Sequence, residues 1–498
     1  MKAIRTDGSR FIDKDGRHVI LHGISMVCKD KSKNFIDDWT ETDFAKLKEW
    51  GFNVIRLGII WDGIEPEPGK YDDNYLENIR KWMQLANKYD QYVFLDMHQD
   101  LYSQQYADGA PDWATMTDEH VYQATELWSD AYLFDRAVQT AFDHFWNNTA
   151  ASDGIGLQDH YAAAWGHAVK TLSNEPNLIG YDIMNEPFIG SDVYNIVVSL
   201  FSRFAQLMTD ATGQQVEVEQ LFEVWLDPEK KMEALQMLDD PAAYGSVMNA
   251  AGEAQAYFER EVLSPFNNKV AAAIREVDQH GILFLETNYF SNMGVESSIA
   301  PVTNAAGIRD AEQCYAPHGY DLVTDSDFVH AANNDRIDFI FEQHEKTRQR
   351  LNMPMMIGEW GAYGESEIAE AAALHIQTVF EKLLVSDAYW CYLYPEMDRY
   401  SSFKGVQRSY PMAASGPIDS YSFVHATNTF QLAWQEDASV TAPTVIYFPN
   451  LAATQQTSLT IDNNNGAGNY EWVAFDDGVG GLLVIQPIGG GARKVQIG

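Results

Sequence analysis

The chain has 498 residues, 72 of them acidic and 34 basic, for a formal charge of −38. Its 46% hydrophobic and 13% aromatic content supplies a packed core, which excludes a disordered polyelectrolyte. The negative balance repels phosphate backbones, so nucleic acid is excluded as a partner, and contact with lipid surfaces is at most peripheral.

No apolar run approaches the ~20 residues of a membrane-spanning helix. Met1–Asp15 is polar and lacks a signal-peptide core. The location stays open: cytoplasmic as given, secreted if a leader was removed. Cys28, Cys314 and Cys391 are an odd set with no C-x-x-C spacing, which suits buried thiols rather than a disulfide framework or a zinc site.

Eight short apolar runs occur in the first 400 residues: Val19–Ile24, Phe52–Ile60, Tyr92–Met97, Leu178–Met184, Ile282–Leu285, Gln313–Ala316, Pro354–Ile357 and Ala388–Leu393. Runs apolar on both faces suit parallel strands covered on each side. Helical patterns such as Thr42–Trp50, Asp73–Tyr89 and Ser366–Ser386 lie between them. The alternation predicts an α/β fold, a (β/α)₈ barrel spanning residues 1–420. No Gly-rich loop follows the first strand, which argues against a dinucleotide fold.

Residues 214–266 exceed what a barrel connection needs. Leu221, Phe222, Val224 and Trp225, then Met232, Leu235, Met237 and Leu238, have helical spacing and predict a helical insertion. It serves either as an extra packing unit or as a lid or apolar wall over the site. From residue 421 to 498 the pattern becomes short strands separated by turns such as Asn463–Gly468. Phe430, Leu432 and Trp434 alternate with polar or small residues, as in an antiparallel β-sandwich.

Strand four ends in Asn185-Glu186-Pro187. Barrel active sites sit at the carboxyl ends of the strands, so Glu186 points into the mouth. A second copy, Asn174-Glu175-Pro176, precedes the strand and falls at the opposite end. Position, not the tripeptide, carries the signal. Strand seven delivers Glu359 in the same way. Two carboxylates across a cleft suit glycoside hydrolysis, one protonated and one ionised.

Neighbouring strand ends supply support. Arg56 would hold Glu359 ionised, and Tyr320, two residues past His318, would hydrogen-bond it. Asn185 suits a sugar hydroxyl. Asp96, His98 and Asp100 end strand three, and Trp390 offers a sugar platform. The chemistry requires no cofactor and no metal.

With Arg56, His98, Asn185-Glu186, His318, Tyr320, Glu359 and Trp390 on successive strand ends, the chain resembles glycoside hydrolase family 5. The resemblance implies Glu186 as acid/base and Glu359 as nucleophile. Leu95-Asp-Met-His-Gln-Asp100, Met184-Asn-Glu-Pro-Phe188 and Glu65-Pro-Glu-Pro-Gly-Lys-Tyr71 are similar to the endoglycoceramidase subgroup. That likeness implies cleavage between the glycan and the lipid aglycone of a glycosphingolipid. It also implies Lys31 as a sugar-binding lysine with Lys29 as the competitor, Asp96 against the first sugar, and Asn288 as a further polar contact. The insertion is not expected in the bacterial members. An exo-acting β-glucosidase or glucosylceramidase of the same family is therefore the alternative, and a non-catalytic glycan- or lipid-binding barrel is a third reading. No obligate protein partner is expected.

Overall fold

The computed structural model describes residues 3–225, 227–324, 326, 329–364, 369–462 and 469–498. Eight parallel strands form one sheet: β1 His22–Met26, β2 Val54–Ile60, β3 Tyr92–His98, β4 Leu178–Asp182, β5 Ile282–Leu285, β6 Gln313–Tyr315, β7 Met356–Gly361 and β8 Ser386–Trp390. Their order is β7-β8-β1-β2-β3-β4-β5-β6. Parallel bridges Tyr315–Met355 and Gly319–Trp360 join β6 to β7 and close the barrel.

The outer helices follow their apolar spacing. In Asp73–Lys88, Tyr75, Leu76, Ile79, Trp82, Met83 and Ala86 are buried on one face. Asp72 caps this helix by accepting from the backbone N–H groups of Asn74 and Tyr75. The expected helix Ser366–Ser386 is described over Ala369–Leu383, its first three residues lying outside the described set.

Several strand limits differ from expectation by a few residues, two of them for a clear reason of pairing. The run Val19–Ile24 is divided: His18–Val19 pairs antiparallel with Ala413–Ala414, and the barrel strand begins at His22. Strand eight starts at Ser386 rather than Ala388 because its backbone pairs from there with β7.

The chain beyond the barrel forms two antiparallel sheets packed on a shared core that includes Phe430, Leu432, Trp434, Ile446, Leu483 and Val495. The larger sheet has seven strands, three of which come from the N-terminus: Ile4–Asp7, Arg10–Asp13 and His18–Val19. These pair onto Tyr410–Ala414. The sandwich strands thus begin ten residues before the expected boundary at 420, and the first residues of the chain belong with them. A short helix, Leu451–Gln455, interrupts a region expected to lack helix. The expected turn Asn463–Gly468 lies outside the described residues.

Between β4 and β5 run the helices Val193–Thr212, Val218–Trp225, Pro228–Gln236, Pro241–Ala250 and Gly252–Phe258, then a π-turn at Glu259–Leu263. Helix Ser264–Arg275 then packs on Leu157–Leu172 as a barrel helix. The insertion is helical, as its spacing predicts. Among the described residues no helix is long and apolar enough to cross a membrane.

Candidate active site

Along the strands, inward-facing side chains change from apolar to charged. Val54, Phe94, Phe284, Cys314 and Met356 form a closed apolar layer with Ile4 and Phe11 of the N-terminal strands. Two residues farther along several strands stand Arg56, Asp96, Glu286 and Gly358. Period-two alternation makes each pair share the inner face. The lower layer is structural, and the upper layer is the floor of the candidate site.

Arg56 is fully buried at the centre of this floor. Its Nε donates to Asp182 (3.0 Å), Nη1 to Glu359 (2.6 Å), and Nη2 to Glu286 (2.8 Å) and Asn185 Oδ1 (2.9 Å). Asp96 lies 3.0 Å from the same Nη2. The planar fork thus orients five residues from four strands or their ends. Burial, with repulsion from Glu286 and Asp96, pushes the Asp182 carboxyl well up against the pull of Arg56.

Glu359 Oε2 accepts from the Tyr320 hydroxyl at 2.8 Å, while Oε1 accepts from Arg56. Both oxygens are fixed as acceptors, the state a nucleophilic carboxylate needs. Glu186 is held differently. Asn292 Nδ2 donates to Oε1 at 2.7 Å, and His318 Nδ1 lies 2.9 Å from the same oxygen. The backbone N–H of Glu186 donates to Glu286 Oε2 at 2.7 Å. Its φ of +42° lies in the left-handed region, a strained conformation for a side chain of this size.

Burial pushes the Glu186 carboxyl up to about 7, with Glu359 adding repulsion and His318 opposing both. Burial disfavours charge on His318, but Glu286, Glu359 and Glu186 outweigh it and raise its pKa well above the ordinary value. His318 needs room here. A Cβ at Gly358 would lie 2.8 Å from its Nε2, so glycine is required in β7 for this approach. One oxygen of Glu186 and one of Glu359 lie within 4.8 Å of each other.

On one side of the carboxylates, Trp390 stacks on His98 with ring centroids 5.2 Å apart and planes 9° from parallel. Lys29 Nζ lies 4.6 Å from the Trp390 ring centroid and pairs with Asp100, with Asp108 3.8 Å away. Burial works against a charged His98, but Asp96 and Asp100 outweigh it and raise its pKa to about 10. Burial pushes the Asp108 carboxyl up to about 6.

On the other side the cavity, about 520 Å³, turns apolar. Leu200, Phe201 and Phe204 of helix Val193–Thr212 line it together with Leu235, Leu238 and Met248 of the insertion. The insertion therefore supplies a wall of the site.

The structure brings together Glu186, Glu359, Arg56, Asn185, His98, Asp100, His318, Tyr320 and Trp390. It sorts three expected residues differently. Asp30 caps a single turn, Lys31–Lys33, which carries Lys31 away to Asp62 (3.0 Å) and Asp112 (3.9 Å), while Lys29 lines the cavity. Asp96 stays within the floor, 2.7 Å from His98 Nδ1, and does not line the cavity. Asn288 is buried against the insertion, donating through Nδ2 to Gln255 Oε1 at 3.2 Å. Asn292, four residues on, takes the place beside Glu186. Sequence reasoning missed Asn292, Asp182 and Glu286. Glu286 directly follows the apolar strand Ile282–Leu285, the same signal that marked Glu186 and Glu359.

A closed (β/α)₈ barrel with two facing glutamates at its mouth defines a glycoside-hydrolase type of protein. Residues 12–394 match the model of cellulase, glycosyl hydrolase family 5, and residues 408–491 match the glycoside hydrolase family 5 C-terminal domain. The chain belongs to glycosyl hydrolase family 5. An endoglycoceramidase of Cyanea nozakii is 32% identical over 221 residues, 39% of this chain and 42% of that protein. A glucosylceramidase of Aspergillus fumigatus is 32% identical over 275 residues, 43% of this chain and 36% of that protein. The matched segments thus span less than half of those relatives. Endo-glycoceramidase II from Rhodococcus sp., in complex with a cellobiose-like imidazole, shares the fold. Its TM-score is 0.74 at 24% identity, over 98% of this chain and 99% of that one.

Proposed function

We propose that the protein is a retaining β-glycosidase that cleaves between the glycan and the lipid aglycone of glycosphingolipids, as an endoglycoceramidase does. One observation carries this reading: a single cavity is lined by Glu186, Glu359, Lys29, Asp100 and Trp390 and also by the apolar side chains of Leu200, Phe201, Phe204, Leu235 and Leu238. A sugar fits the first environment and a lipid chain the second. The endoglycoceramidase relative supports the reading.

Glu359 attacks the anomeric carbon, and the bond to the aglycone oxygen breaks. Glu186 gives that oxygen its proton, so the aglycone leaves as an alcohol and a glycosyl ester remains on Glu359. Asn292 and His318 both occupy Oε1 of Glu186, which leaves Oε2 to carry the proton. Esterification removes the negative charge of Glu359 and with it the repulsion that raised the Glu186 pKa. Glu186 then takes a proton from water, whose oxygen attacks the anomeric carbon and releases Glu359. Two inversions give net retention. The close approach of the two carboxyls supports this course, since retaining pairs stand roughly 5–5.5 Å apart and inverting pairs roughly 6.5–9.5 Å.

A second reading, an exo-acting glucosylceramidase or β-glucosidase, is favoured by the Aspergillus relative and by the insertion. Incubation with glucosyl-, lactosyl- and longer glycosylceramides, with products identified by mass, tests both. Release of intact oligosaccharide supports the endo mode. Release of glucose from glucosylceramide alone supports the exo mode. No cleavage of any of them overturns the lipid assignment.

A further inference from the structure

Glu286 is absent from the chemistry above, yet it contacts Arg56, the Glu186 backbone and His318. It accepts from Arg56 Nη2 (2.8 Å) through Oε1 and from the backbone N–H of Glu186 (2.7 Å) through Oε2. Its Oε1 also lies 3.2 Å from His318 Nε2. It is buried at 4% exposure, so none of these contacts is shared with bulk water.

His318 has carboxylate oxygens on both ring nitrogens. Nδ1 faces Glu186 (2.9 Å) and Glu359 (3.6 Å), and Nε2 faces Glu286. Only the imidazolium carries an N–H on both nitrogens; the Nε2 contact with Glu286 is an ion-pair distance without hydrogen-bond alignment. Arg56, Asp96, Asp182, Glu186 and Glu359 also face Glu286 and His318 in the buried cluster. Replacing the Glu286 carboxylate with an amide takes away a counter-charge beside His318 and Arg56, and Arg56 cannot lose its proton.

We propose that Glu286 is a positioning residue that keeps His318 protonated, so that His318 donates to Glu186 Oε1 and the acid proton stays on Oε2, toward the leaving oxygen. The same side chain pins the backbone N–H of Glu186 in its left-handed conformation. If His318 were neutral, its Nδ1 could accept. The Glu186 proton would then sit between Oε1 and the ring, turned away from the substrate. This rests on the assignment of Glu186 as the acid. The raised pKa of His318, to which Glu286 contributes most among its neighbours, agrees with the geometry.

The test uses the full chain with ¹⁵N-labelled histidine, the His318 signal being assigned by its loss in His318→Gln. In the wild-type protein the His318 ring stays doubly protonated from pH 5 to 9. In Glu286→Gln, which keeps size and one acceptor but not charge, the ring titrates inside that window. Hydrolysis of an alkyl β-glycoside then falls about 100-fold, the scale of lost acid assistance, and an activated aryl β-glycoside loses far less. Glu286→Asp restores the protonated ring. A purely structural role would lower both substrates equally and leave the ring unchanged in Glu286→Gln, and that result overturns the proposal. So does a neutral His318 at pH 7 in the wild type, a measurement that stands even if Glu286→Gln does not fold. The ring signal needs no glycolipid substrate, so a wrong substrate assignment is distinguishable from a wrong role for Glu286.

Discussion

An acid that must later act as a base needs a pKa near the working pH, and burial beside Glu359 gives Glu186 one of about 7. The first step needs Glu186 protonated. The ratio kcat/KM should therefore hold below about pH 7 and fall as pH rises through it. The limb reports the coupled pair rather than one group alone. In Glu186→Ala, residual hydrolysis of an activated aryl β-glycoside should lack this limb, and finding the same limb there would refute the assignment. Glu359→Gln should abolish turnover on both good and poor leaving groups, because no glycosyl ester forms. Asn292→Ala removes one of two donors on Glu186 Oε1 and should cost up to about 10-fold in kcat on glycolipid, as a hydrogen bond to a neutral group is worth about 0.5–1.5 kcal/mol. Much of the site was legible at this scale. An apolar strand that ends in a carboxylate marked Glu186 and Glu359, and the same rule applied to Ile282–Leu285 marks Glu286. Asn292 was not legible, because it sits in a turn after β5 that only the fold brings over Glu186.

At the scale of elements, the barrel is readable because its strands are covered on both faces and so appear as unbroken apolar runs. The insertion is readable as helix but not as wall. Apolar spacing says that a helix buries a face and not which surface meets it. Here Leu200, Phe201 and Phe204 point into the cavity beside Leu235 and Leu238. Phe204→Ala should raise KM for a glycolipid about 10-fold, since a buried apolar side chain is worth about 1.5–3 kcal/mol. It should leave aryl β-glycoside hydrolysis within about twofold. Equal effects on both substrates would place the lipid chain elsewhere. The insertion is anchored by Glu259 in its π-turn, which accepts from the N–H of Asn288 at 3.1 Å, from the Ser297 hydroxyl and from the N–H of Ser298. Glu259→Gln turns an amide NH₂ toward one of these donors. It should cost about 1–3 kcal/mol, measured by denaturant unfolding, with faster hydrogen exchange at Asn288 and Ser298. Unchanged exchange would show that the insertion is held by other contacts.

Over the whole molecule, the two ends of the chain are one structural unit, and this was the part least legible in the sequence. Strands Ile4–Asp7 and Arg10–Asp13 look like an isolated polar hairpin until Arg10–Asp13 is seen to pair with His18–Val19, and that strand with Ala413–Ala414. Residues 4–21 close the lower end of the barrel through Ile4, Phe11, Val19 and Leu21, and they are held in place by pairing onto Tyr410–Ala414. Side chains reinforce this junction. Tyr410 donates to the Gly51 carbonyl at 2.7 Å and Tyr447 to the Glu49 carbonyl at 2.8 Å. A Cβ at Gly51 would lie 2.2 Å from the Tyr447 ring, and its φ of +87° excludes most side chains independently. Arg408 reaches Asp387 of β8 at 3.2 Å and the Gln377 carbonyl of helix Ala369–Leu383, between the barrel sheet and its outer helix. The sandwich is therefore part of the barrel's own floor rather than an appended module. A chain ending at residue 407 should lack a cooperative thermal transition, because it loses the strand that holds residues 4–21 over Val54, Phe94 and Phe284. Supplying residues 408–498 in trans should recover soluble protein, since the junction is non-covalent. A soluble 1–407 chain with a single sharp transition and wild-type aryl β-glycosidase activity would show instead that the barrel closes its own lower end.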